Sequence, residues 1–215
     1  MIYSKAIAKQ TAAYLLQIKA VELNNAKPFQ WASGWKSPIY CDNRKTLSFP
    51  EIRTRIRIHF EEIINQQYPQ AEAIAGVATG GIAIGALVAQ ALNKPFVYVR
   101  NASKGHGLQN RIEGVLQSGQ KTVVIEDLVS TGKSSLNAVD ALKDSKADVV
   151  GMVSVFDYGF QMAADNFTAK ECELLSLSDY EHLLEVAMEQ GYILKTDIEA
   201  LRQWRLAPEK WGIHQ

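Results

Sequence analysis

The chain has 215 residues, 47% of them hydrophobic and 21% charged, and its 23 basic residues balance its 23 acidic residues. This length accommodates one α/β domain with a substantial core, and the composition is ordinary for a soluble globular protein. The balanced charge argues against a nucleic-acid-binding protein, which usually carries a basic excess. The sequence contains neither an internal repeat nor a low-complexity linker, so we predict a single domain, 1–215.

The N-terminal region predicts a helix followed by a small aromatic hairpin. Apolar residues recur at helical spacing over residues 4–23. Two short strands are expected at 29–32 and 37–41, on either side of a turn. Because Trp31 and Trp35 lie in this hairpin, it either covers the sheet as packing or forms a hood that stacks on a planar ring.

The next region predicts a helix, a strand and a second helix. Ser48 is expected to cap the first helix together with Glu51. Residues 73–92 carry no charge, as a membrane span would, but Thr79-Gly80-Gly81 interrupts the run. A strand at 73–77, a glycine loop and a buried helix explain this segment better. The N–H groups that open the second helix would form a cradle for an anion.

A long polar loop, N-A-S-K-G-H-G-L-Q-N-R-I-E-G, follows a predicted strand at 96–100. Lys104 and His106 lie inside this loop. Long connections of this kind are often lids, and cations on a lid gain most when an anionic ligand draws it shut. The alternative is a disordered surface loop with incidental charges.

The most informative stretch is 122–135, T-V-V-I-E-D-L-V-S-T-G-K-S-S. It predicts a buried parallel strand, then the acids Glu126 and Asp127, then a helix from about Ser134 to Lys143. Ligands of open α/β sheets bind where such strands end, and a helix N-terminus favours a phosphate. Carboxylates beside a phosphate are costly unless donors satisfy them, and ribose hydroxyls are such donors. The stretch therefore predicts a site for a phosphorylated ribose.

Two other interpretations of this stretch are open. T-G-K-S resembles the end of a Walker A loop, G-x-x-x-x-G-K-[ST], but the first glycine of that motif would be Asp127. An ordinary strand-to-helix turn with a solvated acidic pair is the other interpretation.

The remaining chain continues the alternation of strands and helices. Further strands are expected at 149–155 and 172–177, and helices follow both, which predicts a mainly parallel sheet covered on both faces. Cys41 and Cys172 form neither a disulfide framework nor a metal-ligand spacing. The first residues lack the apolar core of a signal peptide, and we expect a cytoplasmic protein.

The run V-V-I-E-D-L-V-S-T-G-K-S-S resembles the phosphoribosyl-pyrophosphate (PRPP) signature of type I phosphoribosyltransferases. The resemblance implies an α/β fold, with a central parallel sheet of about five strands flanked by helices and a hood contributed mainly by 1–45. The A-T-G-G run resembles the pyrophosphate loop of this family, although Gly80 stands where some relatives have a lysine. PRPP binding is implied for Glu126, Asp127, Leu128, Val129, Ser130, Thr131, Gly132, Lys133 and Ser134.

Two further motifs resemble one branch of the family, the orotate phosphoribosyltransferases. The run F-Q-W-A-S-G-W-K-S-P-I-Y-C-D-N-R is similar to the hood segment of that branch, with Ala32 where some members have a PRPP-contacting lysine. R-x-x-x-K-x-H-G, followed by I-E-G, resembles its catalytic loop. This implies that Arg100, Lys104 and His106 bind PRPP phosphates and that the 101–113 loop acts across the interface of a homodimer.

The resemblance leaves the partner of the orotate carboxylate open. Some orotate enzymes have an arginine for this purpose where this chain has Phe156-Asp157-Tyr158. Ser130 aligns with a hydroxyl that contacts the base. The other candidates are backbone N–H groups near Tyr40, with Lys36 or Arg44.

The reaction implied is transfer of the phosphoribosyl group from PRPP to orotate, giving orotidine 5′-monophosphate and pyrophosphate in pyrimidine biosynthesis. Lys104 and Asp127 would be catalytic, and Mg²⁺ would be held by PRPP oxygens and water rather than by a protein metal site. The alternatives are a purine or uracil salvage transferase and a non-enzymatic PRPP-sensing regulator. Neither a nucleic acid nor a membrane is expected as a partner.

Overall fold

The computed structural model describes residues 1–24, 27–31, 34–100 and 111–211. The helices in these residues are α1 Lys5–Gln17, α2 Pro50–Gln67, α3 Gly80–Ala91, α4 Lys133–Asp144, α5 Gln161–Ala169, α6 Tyr180–Glu189 and α7 Ile198–Leu206. The strands are β1 Val21–Leu23, β2 Phe29–Gln30, β3 Lys36–Ser37, β4 Ile39–Cys41, β5 Ala73–Val77, β6 Phe96–Val99, β7 Ile112–Glu113, β8 Lys121–Val129, β9 Asp148–Asp157 and β10 Leu174–Asp179. A 3-10 helix, Asn43–Ser48, lies between β4 and α2.

The central sheet has the strand order β10-β9-β8-β5-β6-β7. The first five of these strands run parallel, so the predicted parallel core of about five strands is confirmed. The two-residue strand β7 adds an antiparallel edge beside β6, which the sequence pattern did not predict. Because β5 and β8 are neighbours, the loops that follow them lie side by side at one edge of the sheet.

Strand β8 separates two hydrophobic layers. Val123 and Ile125 face a core formed with α1, α2, α3, α6 and α7, whereas Val124 faces a smaller core against α4 and α5. Successive residues of a strand point to opposite faces, so one apolar run supplies both cores. The buried stripe predicted for the second helix is confirmed on α2, where these residues are buried: Ile52, Ile56, Phe60 and Ile63.

Two expected boundaries are wrong. The first helix ends at Gln17 rather than near residue 23, because Lys19 adopts a φ of 54° and the chain turns into β1, which pairs with β4. Ser48 does not cap α2: it ends the 3-10 helix, and Phe49 occupies the N-cap position.

The uncharged segment 73–92 is divided between β5 and α3, as predicted. Glycines bring the two elements together, since a Cβ on Gly76 would lie 2.6 Å from the Gly81 carbonyl oxygen. Among the described residues, no helix combines the length and the apolar character that a membrane crossing requires.

The tryptophans of the β2–β3 hairpin pack inward. The ring centroid of Trp31 lies 5.0 Å from that of Tyr158 and 5.7 Å from that of Trp204. Trp35 stacks on Trp31 with centroids 6.2 Å apart. Trp204, on α7, is fully buried and donates its Nε1–H to the Lys36 carbonyl at 3.3 Å. These contacts favour the packing interpretation of the hairpin over stacking on a ligand ring.

Candidate active site

A cavity of about 370 Å³ opens at the carboxyl ends of β5 and β8. It is bordered by the hood after β4, by the loop between β5 and α3, and by the end of β8 with the start of α4. The lining residues are Cys41, Asp42, Arg44, Ala78, Thr79, Gly80, Glu126, Asp127, Leu128, Ser130 and Ser134. A larger cavity, about 610 Å³, lies beside β10 and contains none of these residues. Three of the four motifs that the sequence singled out, namely the hood run, the A-T-G-G loop and the 122–135 stretch, therefore contribute residues to the smaller cavity.

The two acids of the motif lie in different environments. Both belong to β8, which continues to Val129 instead of ending before them. Glu126 is 4% exposed and accepts hydrogen bonds from the Ser135 hydroxyl at 2.8 Å and from the Asp127 N–H at 3.0 Å. Burial, followed by the adjacent Asp127 carboxylate, raises the pKa of Glu126 well above its usual range. The Asp127 carboxylate interacts with the Glu126 side chain and also lies against Gly80.

The start of α4 has the form of an anion site. Gly132 adopts a left-handed conformation with a φ of 77°, and a Cβ there would lie 2.8 Å from the Phe167 ring. The Asn166 Nδ2–H donates to the Thr131 carbonyl at 3.0 Å and holds the loop against α5. No described side chain caps the first turn of α4, so its N–H groups are open to an anionic ligand.

The loop before α3 approaches β8 closely because two of its residues lack side chains. A Cβ on Gly81 would lie 2.4 Å from the Ile125 carbonyl oxygen, and one on Gly80 would overlap the Asp127 carboxylate. Within the described chain, no side chain caps the first turn of α3 either. The cavity is therefore lined by two helix N-termini, those of α3 and α4, whose first N–H groups are unsatisfied.

The hood contributes one buried residue that the sequence pattern did not single out. Asn43 is 2% exposed, and its Nδ2–H donates to the Asp127 carbonyl oxygen at 2.6 Å. Arg44 lines the cavity and pairs its Nε–H with the Asp42 carboxylate at 2.7 Å. This pairing lowers the pKa of Asp42. The feature of the sequence that could have indicated Asn43 is the polar triplet D-N-R, directly after the predicted strand 37–41.

The remaining predicted residues are distributed around the same edge of the sheet. Arg100 follows β6, and its guanidinium pairs with Glu113 of β7 at 3.3 Å. The Val129 side chain is buried in the core, so only its backbone is available to a ligand. Lys104 and His106 lie outside the described residues. Thr131 and Gly132 form the turn into α4, and Lys133 and Ser134 are the first two residues of that helix.

A parallel sheet of this order, with an acidic strand end between two uncapped helix N-termini, defines a phosphoribosyltransferase. The family model described as "Phosphoribosyl transferase domain" matches residues 45–189. A curated relative, the orotate phosphoribosyltransferase of Porphyromonas gingivalis, is 52% identical over 97% of this chain and 100% of its own length. The chain therefore belongs to the orotate phosphoribosyltransferase family, as its motifs predicted.

Solved structures agree with this membership. The orotate phosphoribosyltransferase of Aeropyrum pernix is 29% identical, with a TM-score of 0.74 over 85% of this chain and 99% of that one. The UMP synthase of Leishmania donovani is 27% identical, with a TM-score of 0.75 over 91% of this chain. This chain spans 42% of the UMP synthase chain, so the likeness concerns one part of a longer protein.

Proposed function

We propose that this protein transfers the phosphoribosyl group of PRPP to orotate, forming orotidine 5′-monophosphate and releasing pyrophosphate, in pyrimidine biosynthesis. The observation that carries the proposal is the cavity where Asp127, two uncapped helix N-termini and Arg44 meet. The names of the Porphyromonas and Aeropyrum relatives support it. PRPP is a ribose that carries a 5-phosphate, a diol and a diphosphate on C1. Its diol can donate hydrogen bonds to Asp127, and its phosphate groups can accept them from the two helix N-termini.

In this reaction the bond between C1′ and the pyrophosphate oxygen breaks, and a bond between C1′ and an orotate nitrogen forms as that nitrogen loses its proton to solvent or to the departing pyrophosphate. Asp127 would accept hydrogen bonds from the ribose hydroxyls, and its charge would stabilise the cationic character that develops at C1′. The turn 130–134 would hold the 5-phosphate, and the N–H groups near Gly80 and Gly81 would hold the diphosphate. Because no covalent nucleophile is needed, catalysis would rest on orientation and electrostatic stabilisation.

The loop between β6 and β7 would complete the site. By the family resemblance, Lys104 and His106 bind the PRPP phosphates from the 101–113 loop, which acts across the interface of a homodimer. Arg100 lies at the beginning of this loop. Closure of the loop would exclude water from C1′, where hydrolysis is the side reaction.

Mg²⁺ fits this cavity as an ion that enters with PRPP. The described residues contain no cluster of three or more His, Cys, Asp or Glu side chains, and both carboxylate oxygens of Glu126 already accept hydrogen bonds. PRPP oxygens and water would hold the ion, beside the Asp127 carboxylate, which lines the same cavity. When bound, Mg²⁺ would supply positive charge to the leaving pyrophosphate.

Cytoplasmic location is supported by two free cysteines, Cys41 and Cys172.

Arg44 is the hood cation best positioned to receive the orotate carboxylate, because it lines the cavity. Its side chain is 59% exposed and pairs with Asp42 on the same segment. Exchanging such an exposed pair for a substrate carboxylate would cost little, since exposed ion pairs contribute about 0–1 kcal/mol. Phe156 and Tyr158, which stand where some orotate enzymes have an arginine, are buried.

The first experiment is an ultraviolet assay of orotate consumption with PRPP and Mg²⁺, alongside uracil and hypoxanthine. We expect loss of orotate that requires both PRPP and Mg²⁺, with no turnover of the other bases. Turnover of uracil or hypoxanthine instead would indicate a salvage transferase. PRPP binding without turnover of any base would indicate a regulator. If orotate is consumed but Arg44→Gln leaves the KM for orotate within about twofold of wild type, the carboxylate assignment is wrong.

A further inference from the structure

Asn43 occupies a buried position between the hood and the strand that carries Asp127. Its Nδ2–H donates to the Asp127 carbonyl oxygen at 2.6 Å, and its Oδ1 accepts a hydrogen bond from the Cys41 thiol at 3.2 Å. The first of these bonds joins residues that are 84 positions apart. The amide therefore connects the hood segment to β8, and both of these segments line the cavity.

The carbonyl that Asn43 contacts lies beyond the point where β8 loses one of its neighbours. β5 pairs with β8 only as far as Ile125, which lies opposite Gly76. Two residues further, at Asp127, β5 has ended and the Asn43 amide provides the donor. Because buried backbone carbonyls need a hydrogen-bond donor, this bond fixes the orientation of the peptide that follows Asp127.

The orientation of the Asn43 amide is itself fixed at both ends. A carbonyl can only accept, so the Nδ2 atom must face Asp127 and the Oδ1 atom must face Cys41. Burial, followed by the charges of Asp127 and Asp42, raises the pKa of the Cys41 thiol well above its usual range. The thiol therefore stays protonated and continues to donate to Asn43. Cys41 belongs to β4, which pairs with β1 and is part of the hood framework.

We propose that Asn43 is a positioning residue, which holds Asp127 at a fixed distance from the hood. This spacing places C1′ of the ribose next to the nitrogen of the base that attacks it. The inference rests on the proposed function. Asp42 and Arg44 line the cavity and Asn43 does not, so Asn43 acts through Asp127 and not on a substrate. The new bond at C1′ forms between a base held by the hood and a ribose held by Asp127. A small change in the spacing of these two segments should therefore lower the rate of reaction.

The test compares Asn43→Ala with Thr46→Val, and uses Asn43→Ser if the alanine variant does not fold. Thr46 is 6% exposed, and its Oγ1–H donates to the Asn43 carbonyl at 2.6 Å. Thr46→Val therefore removes a buried hydrogen bond from the same 3-10 helix without removing the bond to Asp127. The measurements are Tm, kcat, both KM values, and the affinities for ribose 5-phosphate and for inorganic phosphate. The ratio of these two affinities reports the contact that Asp127 makes with the ribose hydroxyls.

We expect Asn43→Ala to lower kcat about tenfold or more and to lower the affinity ratio about fivefold, with phosphate affinity unchanged within about twofold. Thr46→Val should lower Tm by a similar amount and leave kcat and the affinity ratio within about twofold of wild type. Parallel losses of Tm and kcat in both variants, or an unchanged ratio in Asn43→Ala, would overturn the proposal. If the wild-type protein does not consume orotate, the proposed function fails, and the affinity ratio still tests Asn43.

Discussion

The polar segment 126–135 and the aromatic hood cluster are held in place by different kinds of interaction. The hood cluster consists of Trp31, Trp35, Tyr158, Phe160 and Trp204. In the polar segment, directional hydrogen bonds fix the groups, such as those from Ser135 to Glu126 and from Asn166 to Thr131. In the hood cluster, ring packing and burial dominate.

This difference indicates how each region should respond to substitution. A polar segment held by a few hydrogen bonds can lose its chemistry when one group changes, while the fold remains intact. An aromatic cluster stabilises by the area that it buries, so its loss should be measured first as a loss of stability. Substitutions in the polar segment should therefore lower activity more than stability, and substitutions in the hood cluster should lower stability more than activity.

The largest effect is expected from Trp204→Ala in the hood cluster. Trp204 is fully buried, and its replacement should lower the free energy of unfolding by about 3–5 kcal/mol. Urea denaturation would measure this, with Trp211→Ala as a control, because Trp211 is only partly buried. Equal destabilisation by the two substitutions would contradict the central role given to Trp204.

Asp127→Asn should affect activity more than stability. We expect kcat/KM for PRPP to fall on the order of 100-fold, about 3 kcal/mol, because a neutral amide interacts less strongly with the ribose hydroxyls and the developing cation. Thermal unfolding should change little. Asp140→Asn is the matched control and should leave the kinetics unchanged. It removes an exposed ion pair between Asp140, which lies on α4, and Lys170. Wild-type kinetics in Asp127→Asn would refute the assignment of this residue to the ribose.

Substitutions of the adjacent glycines Gly80 and Gly81 should separate a loss of activity from a loss of stability. A Cβ on Gly81 would meet the backbone oxygen of Ile125, and we expect Gly81→Ala to destabilise the fold by about 1–3 kcal/mol. The three atoms nearest to a Cβ on Gly80 all belong to the Asp127 carboxyl group, which can rotate away. Gly80→Ala should therefore keep the wild-type Tm and lower kcat/KM for PRPP about tenfold. Measuring both quantities in both variants checks this, and the reverse pattern would disprove it.

The smallest effect on activity is expected from Glu126→Gln, which should alter how stability depends on pH. Burial raises the pKa of Glu126 in the folded protein, so its contribution to stability is present below its ordinary pKa of 4.5 and is lost as pH rises through the folded value. Glutamine stays neutral and can still accept from the Asp127 N–H. The Tm of the variant relative to wild type should therefore rise as the pH is raised above 4.5. A constant difference across this range would show that Glu126 does not titrate as expected.

The sequence predicted the strand–loop–helix motif well because its determinants are local. Apolar residues before Glu126 and the left-handed Gly132 identify a strand, a turn and a helix start within a few positions. The strand was expected to end before the acids, since acidic residues are poor strand formers, but pairing with β9 extends β8 to Val129. The bond from Asn43 to Asp127 could not be predicted, because it depends on how distant segments meet.

The contact between Trp204 and Lys36 has a consequence for the order in which the molecule folds. It joins residues 168 positions apart, so the hood cannot reach its packed form until α7 has been synthesised and has docked. The strands and helices around the polar segment lie between these two points in the chain and can form earlier. We therefore expect the hood to be the last part of the site to assemble, in a step set by non-local contacts.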